Sequence, residues 1–334
     1  MKPLIPRRDL LIQSTTILAF PSVMWACAAD DTAALVRQPR SRVAVVRKEG
    51  VLQADHSLQA EPLADMLDAG MRAALDRKTV LDSWKALFSS TDVVGIKLNT
   101  LGGPWLSPHP ELVRIIAQRL VEAGVAPQRI LIWDRFEREL TKAGFPPGDF
   151  HGVGIVVATD TARVGYDAEP QISGSIGSCF SRIISTFCTA LINVGVLKDH
   201  DLSGTSVAMK NLFGLIHNPN RYHFDVHADP YLPDLCLHPF VKDKLRLTIC
   251  DGFLAQYDGG PAYKSQRTWA YGGLLVSRDP VALDAVAATV LSQKRREENL
   301  PSFAEAGREP KYIALAEDKR LGWADPGKID CIEV

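Results

Sequence analysis

The chain is poor in cysteine for its length and has no close pair of them. Six are spread over 334 residues with no Cys-x-x-Cys spacing, so no cysteine-ligated zinc or iron–sulfur cluster is expected. If Cys27 leaves with an export signal, Cys179, Cys188, Cys236, Cys250 and Cys331 remain, an odd number that cannot all pair within one chain. Cys188 and Cys250 lie in apolar runs and read as small core residues. A charge of one sign is lacking as well. The 38 Lys and Arg nearly cancel the 39 Asp and Glu, with no basic run, which removes the electrostatic case for nucleic acid or an anionic membrane as partner. No uninterrupted apolar run reaches the ~20 residues that span a bilayer. No linker rich in Pro, Gly or Ser divides the chain, and no aromatic stripe offers a platform for a surface glycan.

The first residues carry a layout of their own. Lys2 and the pair Arg7-Arg8 precede Leu10 to Ala29, which holds few charges, and a charged segment followed by an apolar one is the pattern of a secretory signal. Arg7-Arg8-Asp9-Leu10-Leu11 resembles a twin-arginine export signal, so the export machinery for folded proteins is an expected partner. Ala26 and Ala28 form a small-x-small cleavage pattern that assigns 1–28 to the signal and starts the mature chain near Ala29. A lipid-anchored start at Cys27 is the alternative, with the bulky Trp25 against it. Gln13, Ser14, Thr15 and Thr16 interrupt the apolar stretch, so no membrane span is expected in the mature form. The expected location is the periplasm or the outside of the cell.

The remainder, 29–334, reads as one α/β domain. Short, continuous apolar runs recur at Val43 to Val46, Val93 to Leu98, Ile130 to Trp133, Val153 to Ala158, Ala190 to Leu197, Leu245 to Cys250 and Leu274 to Ser277. Such runs are strands buried on both faces. Helical stretches alternate with them at Leu63 to Asp76, Pro110 to Ala123, Ser203 to Ile216, Pro280 to Gln293 and Pro310 to Asp318. In the second, Leu112, Ile115, Ile116, Leu120 and Val121 make one apolar face between a starting Pro110 and a stopping Gly124. The alternation predicts a largely parallel sheet with helices on both faces. His217 to Pro239, rich in His, Asp and Pro, interrupts it as one long irregular loop.

Polar residues close four of the strand runs: Lys97 and Asn99, Asp134, Lys198-Asp199-His200, and Asp251. In a parallel sheet these ends share one edge, where α/β proteins place ligands. A lysine entering a strand end is costly to bury unpaired; the plain structural reading matches Lys97 and Lys198 with Asp134 or Asp251 as ion pairs. Ser203-Gly204-Thr205-Ser206 precedes a helical run bearing Lys210 and Asn211, and small hydroxyl residues there either cap a helix or open its amides to an anion. His217, His223, His227, Asp225 and Asp229 are candidate ligands for a divalent metal, since His223 and His227 share a helical face and all but His217 share an extended one. Asp258-Gly259-Gly260-Pro261 is a turn and not a phosphate loop, because no Lys-Ser/Thr follows. Asp279 caps the helix that begins at Pro280, and Asp284 is either a ligand or a satisfied core carboxylate.

Five segments in order resemble the family described as domain of unknown function 362: Val94 to Asn99, Asn193 to His200, Ala208 to Gly214, Ile249 to Gly252 and Asp279 to Asp284. The resemblance runs from about Val43 to the C-terminus, without the ferredoxin-like module of some members. It implies a shared constellation of Lys97, Asn99, Lys198, His200, Lys210, Asn211, Asp251, Asp279 and Asp284, and names no chemistry for it. The leading expectation is an enzyme acting on a small anionic molecule. Lys97, Lys198 and Lys210 would hold its charge, with Asn99, Asp134 and Asn211 beside it and His200 or Asp251 moving a proton. The alternatives are a metal- or cofactor-carrying redox protein and a non-catalytic ligand-binding module.

Overall fold

β-Branched runs become strands and the amphipathic runs between them become helices in the computed structural model, which describes residues 39–223 and 228–334. In chain order the elements are β1 (Ser41–Arg47), α1 (Ala60–Leu75), α2 (Val80–Lys85), β2 (Val94–Lys97), α3 (Pro110–Glu122), β3 (Ile130–Asp134), α4 (Glu137–Lys142), β4 (Gly148–Asp149), β5 (Ile155–Ala158), β6 (Gln171–Ser173), β7 (Ile176–Ser178), β8 (Ala190–His200), β9 (Gly204–Thr205), α5 (Tyr231–Leu237), α6 (Pro239–Lys242), β10 (Leu245–Gln256), β11 (Thr268–Ser277), α7 (Pro280–Glu297), α8 (Tyr312–Asp318) and β12 (Ile329–Glu333).

Among the described residues ten strands form one sheet in the order β12-β1-β11-β10-β8-β2-β3-β5-β4, with β9 folded back on β8. Its centre, β10-β8-β2-β3-β5, is parallel throughout. Antiparallel pairing enters where β11 meets both β10 and β1, and at β4. The two-residue period of each strand sorts its side chains. Ala44, Val46, Val94, Ile96, Ile130 and Ile132 face one core with residues of α1 and α3. Leu131, Trp133 and Leu191 face a second core with α5 and α8, while Val43, Val45 and Cys250 face a third under α7. Both faces are therefore covered, as continuous apolar strands require.

Two expectations change. The run from Ser203 to Ile216 is no α-helix: Gly204 turns at φ 76° into β9, and Met209–Leu215 winds as 3₁₀ turns. Tertiary hydrogen bonds replace the helical ladder here. The buried Asp284 carboxylate accepts from Ala208 N at 2.7 Å and Met209 N at 2.9 Å, and Asn193 Nδ2 on β8 donates to Ala208 O at 2.8 Å. Gly195 permits this close crossing, since a Cβ there would lie 2.0 Å from the Val207 carbonyl oxygen. The expected helix start at Ser203 to Ser206, with its amides free for an anion, is accordingly not formed. The second change is in the loop from His217 to Pro239, which contains a 3₁₀ turn at Pro219–Tyr222 and then α5, with α6 starting at its last residue. Pro233 is tolerated in α5 because it sits in the first turn, where amides have no intrahelical acceptor.

Asp284→Ala leaves two buried amides without an acceptor. The expected cost is about 2 to 4 kcal/mol, read as a lower urea midpoint at unchanged slope; an unaltered midpoint would remove Asp284 as the anchor of residues 208–211.

Candidate functional site

The carboxyl ends of β2, β3 and β8 enclose a cavity of about 480 Å³ whose wall includes Lys97, Asp134, His200, Lys210 and His223. Asn99 and Asn211 line it too. At its base Lys97 Nζ donates to Asp134 Oδ1 at 2.7 Å and to Asn211 Oδ1 at 3.2 Å, and also to the Leu98 carbonyl. The other Asp134 oxygen accepts from Thr100 N and Thr100 Oγ1, both at 2.8 Å. Burial alone would raise the Asp134 carboxyl, but Lys97 and the Thr100 donors outweigh it and hold it below the usual carboxylate range. The structural reading of Lys97 as an ion-pair partner therefore describes it well. Gly214 makes room for the ammonium, because a Cβ at that position would lie 2.6 Å from Lys97 Nζ. Asn211 extends the network: its Nδ2 donates at 2.7 Å to Asn193 Oδ1 in the middle of β8.

Lys198 stands behind this wall and does not line the cavity. It is buried, and its Nζ donates to Asn99 Oδ1 at 3.1 Å and to the Leu106 carbonyl at 3.4 Å. Burial pushes its pKa down to about 8 against the attraction of Asp134 and Asp199. Lys210 opens on the cavity. Its Nζ lies 2.6 Å from His223 Nε2 and 4.9 Å from the centre of the Phe213 ring. Burial, with Lys198 adding repulsion, lowers its pKa to about 7.

The two histidines are read from their partners. The Pro219 carbonyl, 2.8 Å from His223 Nδ1, can only accept, so Nδ1 carries the proton and Nε2 offers its lone pair to Lys210. Burial and Lys210 bring the His223 pKa down to about 4. His200 stacks on His223 at 5.5 Å, and its Nδ1 accepts from Leu202 N at 3.1 Å. Asp201 Oδ1 also approaches that nitrogen, at 3.3 Å. Nδ1 cannot accept from Leu202 and donate to Asp201 at once, and burial with the nearby Lys210 lowers the His200 pKa far below its ordinary value. His200 is therefore neutral, with its proton on Nε2, and the exposed Asp201 is a near neighbour without an ion pair. Glu139, at the cavity wall, is raised by burial and by Asp134.

Other sequence candidates lie elsewhere. Asp251 is outside the cavity wall; its Oδ2 accepts from His109 N and meets His109 Nδ1, both at 2.8 Å. Asp279 caps α7 by accepting from Val281 N and Ala282 N. Of the metal candidates, His223 is at the cavity, His217 packs edge-on against Tyr166, and Asp229 lines a separate cavity with Phe303. Asp225 and His227 lie outside the described residues. Among the described residues no group of three His, Cys, Asp or Glu gathers to hold a metal. A larger groove of about 730 Å³ beside Trp269 and Lys294 presents no buried histidine, lysine or carboxylate.

Sequence reading passed over His109, Asn193, Arg135 and Glu139. His109 occupies the residue before Pro110, a helix-cap position, and Arg135 follows Asp134 directly past the strand end; both positions were legible as signals. Asn193 was a polar residue in an otherwise apolar run.

The His109 pair yields a pH signature. Burial would lower its pKa, but Asp251 outweighs burial and the net shift is upward. The pair's contribution is therefore full below the ordinary histidine value and fades as pH rises through the raised one. In urea unfolding from about pH 5 to about pH 9, the advantage of wild type over His109→Gln should shrink with rising pH; a growing advantage would refute a charged pair.

A family model described as domain of unknown function (DUF362) matches residues 94–289, a span that holds every residue of the cavity wall. No curated protein matches the sequence. The solved structures that match include a crystal structure of a protein from Thermotoga maritima, 11% identical, with a TM-score of 0.44; the match covers 71% of this chain and 59% of that one. The family match takes in more than half of the 334 residues and carries all five segments, from Val94 to Asn99 through Asp279 to Asp284, in full, so the chain belongs to the family described as domain of unknown function 362.

Proposed function

We propose that the chain is an enzyme acting on a small anionic molecule bound at the carboxyl ends of β2, β3 and β8. One observation carries this reading: Lys198 and Lys210 are both buried, and no carboxylate among the described residues is within ion-pair distance of either. An ammonium removed from water without a counter-ion is costly, and the lowered pKa values of about 8 and about 7 record that cost. A bound carboxylate or phosphate supplies the missing negative charge. Lys210 and Arg135 would meet it directly, with the Asn99 and Asn211 amides beside it, and Lys198 would add its field from behind Asn99. His200, with its proton on Nε2, would donate a hydrogen bond where negative charge develops; Asp251 is committed to His109 away from the cavity.

Anion binding that favours the charged amine takes up a proton. Affinity for oxalate or inorganic phosphate, measured by titration calorimetry, should therefore rise by up to about tenfold per unit as pH falls towards about 7, and level off below it. Lys210→Met should weaken binding at least about tenfold and flatten the pH dependence. Failure of a folded protein to bind either anion at any pH would sink the reading.

We also propose export by the twin-arginine route into the periplasm or beyond, on the strength of Arg7-Arg8 and the apolar segment after them, all outside the described residues. Arg7→Lys with Arg8→Lys should leave the precursor in the cytoplasm of a competent host. Unchanged processing of that double variant would overturn the route.

A further inference from the structure

We propose that Lys210 is a carbonyl nucleophile that forms an imine with a small 2-oxo carboxylate; this deepens, and rests on, the reading of the cavity as an anion site. Three lysines stand near the strand ends and their surroundings separate them. Lys97 Nζ spends all three donors on Asp134, Asn211 and the Leu98 carbonyl, so it has no lone pair to offer. Lys198 Nζ is turned to Asn99 and Leu106 and is walled off from the cavity. Lys210 lines the cavity, and its one hydrogen-bond partner among the described residues is a neutral imidazole nitrogen, His223 Nε2. Asp201 on the cavity wall attracts its charged form, but no carboxylate among the described residues pairs with it as an ammonium.

The surroundings favour the chemistry at each stage. With a pKa of about 7, a large share of Lys210 is free amine at neutral pH, the form in which desolvated lysines attack carbonyls. The Phe213 ring, 4.9 Å away, and His223 Nε2, 2.6 Å away, hold the amine end in place. The Nζ lone pair adds to the carbonyl carbon, and the π pair moves to oxygen. His200 Nε2–H donates a hydrogen bond to that oxygen as its charge develops, while Nζ passes one of its own protons to His223 Nε2, which hands it on to the oxygen and returns to the neutral ring. The C–O bond then breaks with the hydroxyl leaving as water after a second protonation, and the nitrogen pair closes the C=N bond. Amine, carbonyl and one proton become a protonated imine and water, with no oxidation or reduction. The iminium is a fixed cation in a place already short of negative charge, so a carboxylate on the adjacent carbon supplies its counter-ion. That requirement selects a 2-oxo acid over a neutral aldehyde, and about 480 Å³ suits a small one.

Reductive trapping tests this on the full folded chain. Incubation with glyoxylate and cyanoborohydride, followed by intact mass and peptide mapping, should give one adduct per chain at Lys210, formed at least about tenfold faster than on surface lysines. Lys210→Arg, which keeps the cation, should lose the adduct yet still bind oxalate. Oxalate binding together with labelling of surface lysines in proportion to exposure overturns the nucleophile and leaves the anion site standing. A protein that is folded by circular dichroism but neither binds oxalate nor is labelled at Lys210 overturns both.

Discussion

A carboxylate buried between two neighbouring strand ends governs the geometry above them. Asp134 closes β3 and receives Lys97 from β2, two donors from Thr100, and the Arg135 amide at 2.8 Å. These donors come from two neighbouring strand ends: Lys97 and Thr100 at and just past the end of β2, and Arg135 just past the end of β3. Breaking such a pair by removing one partner typically costs about 3 to 5 kcal/mol, because the survivor is a buried charge alone. Here the survivor would also release the turn after β2 and the start of the segment leading to α4. The cavity floor is thus a single electrostatic knot, and Asn211 ties it to the winding segment that carries Lys210.

That winding segment is held from the opposite side by Asp284 on α7 and by Asn193 on β8. Lys210 therefore sits on backbone clamped at both Ala208 and Asn211, although its own turns are irregular. The arrangement explains how a residue outside regular helix keeps a fixed position against His223. It also explains why three polar side chains are tolerated in a fully buried layer: nearly every donor and acceptor in it is spoken for.

Much of this was legible because strands announce themselves. The continuous runs at Val94 to Lys97 and Ala190 to Leu197, and the polar residues that end them, sufficed to place Lys97, Asp134 and His200 on one edge. What escaped the reading depended on partners distant in sequence. Ser203 to Ile216 has helical periodicity, but Asp284, 76 residues from Ala208 in the chain, takes the amides that would have set the helix going. Asp251 ends an apolar run like the others, yet its strand continues to Gln256 and His109 reaches it from the cap position just before α3. Lys198 likewise sits near a strand end, two residues before β8 stops at His200, yet its ammonium is taken up by Asn99 Oδ1 and the Leu106 carbonyl behind the cavity wall. In each case local pattern set the element and a long-range contact set the role.

The position of β1 carries a further consequence. It is the first strand of the sheet, and it lies between β11 and β12: Val43 pairs with Ser277 on one side and with Cys331 on the other. A ribosome delivering this chain would therefore present β1 long before either neighbour exists, leaving an apolar strand with two bare edges for most of synthesis. Closure of the sheet waits for the far end of the chain, a high-contact-order assembly that folds slowly. Shielding of that early strand during synthesis, by α1 packing on its Ala44 and Val46 face, is then part of how the molecule reaches its native state without pairing with copies of itself.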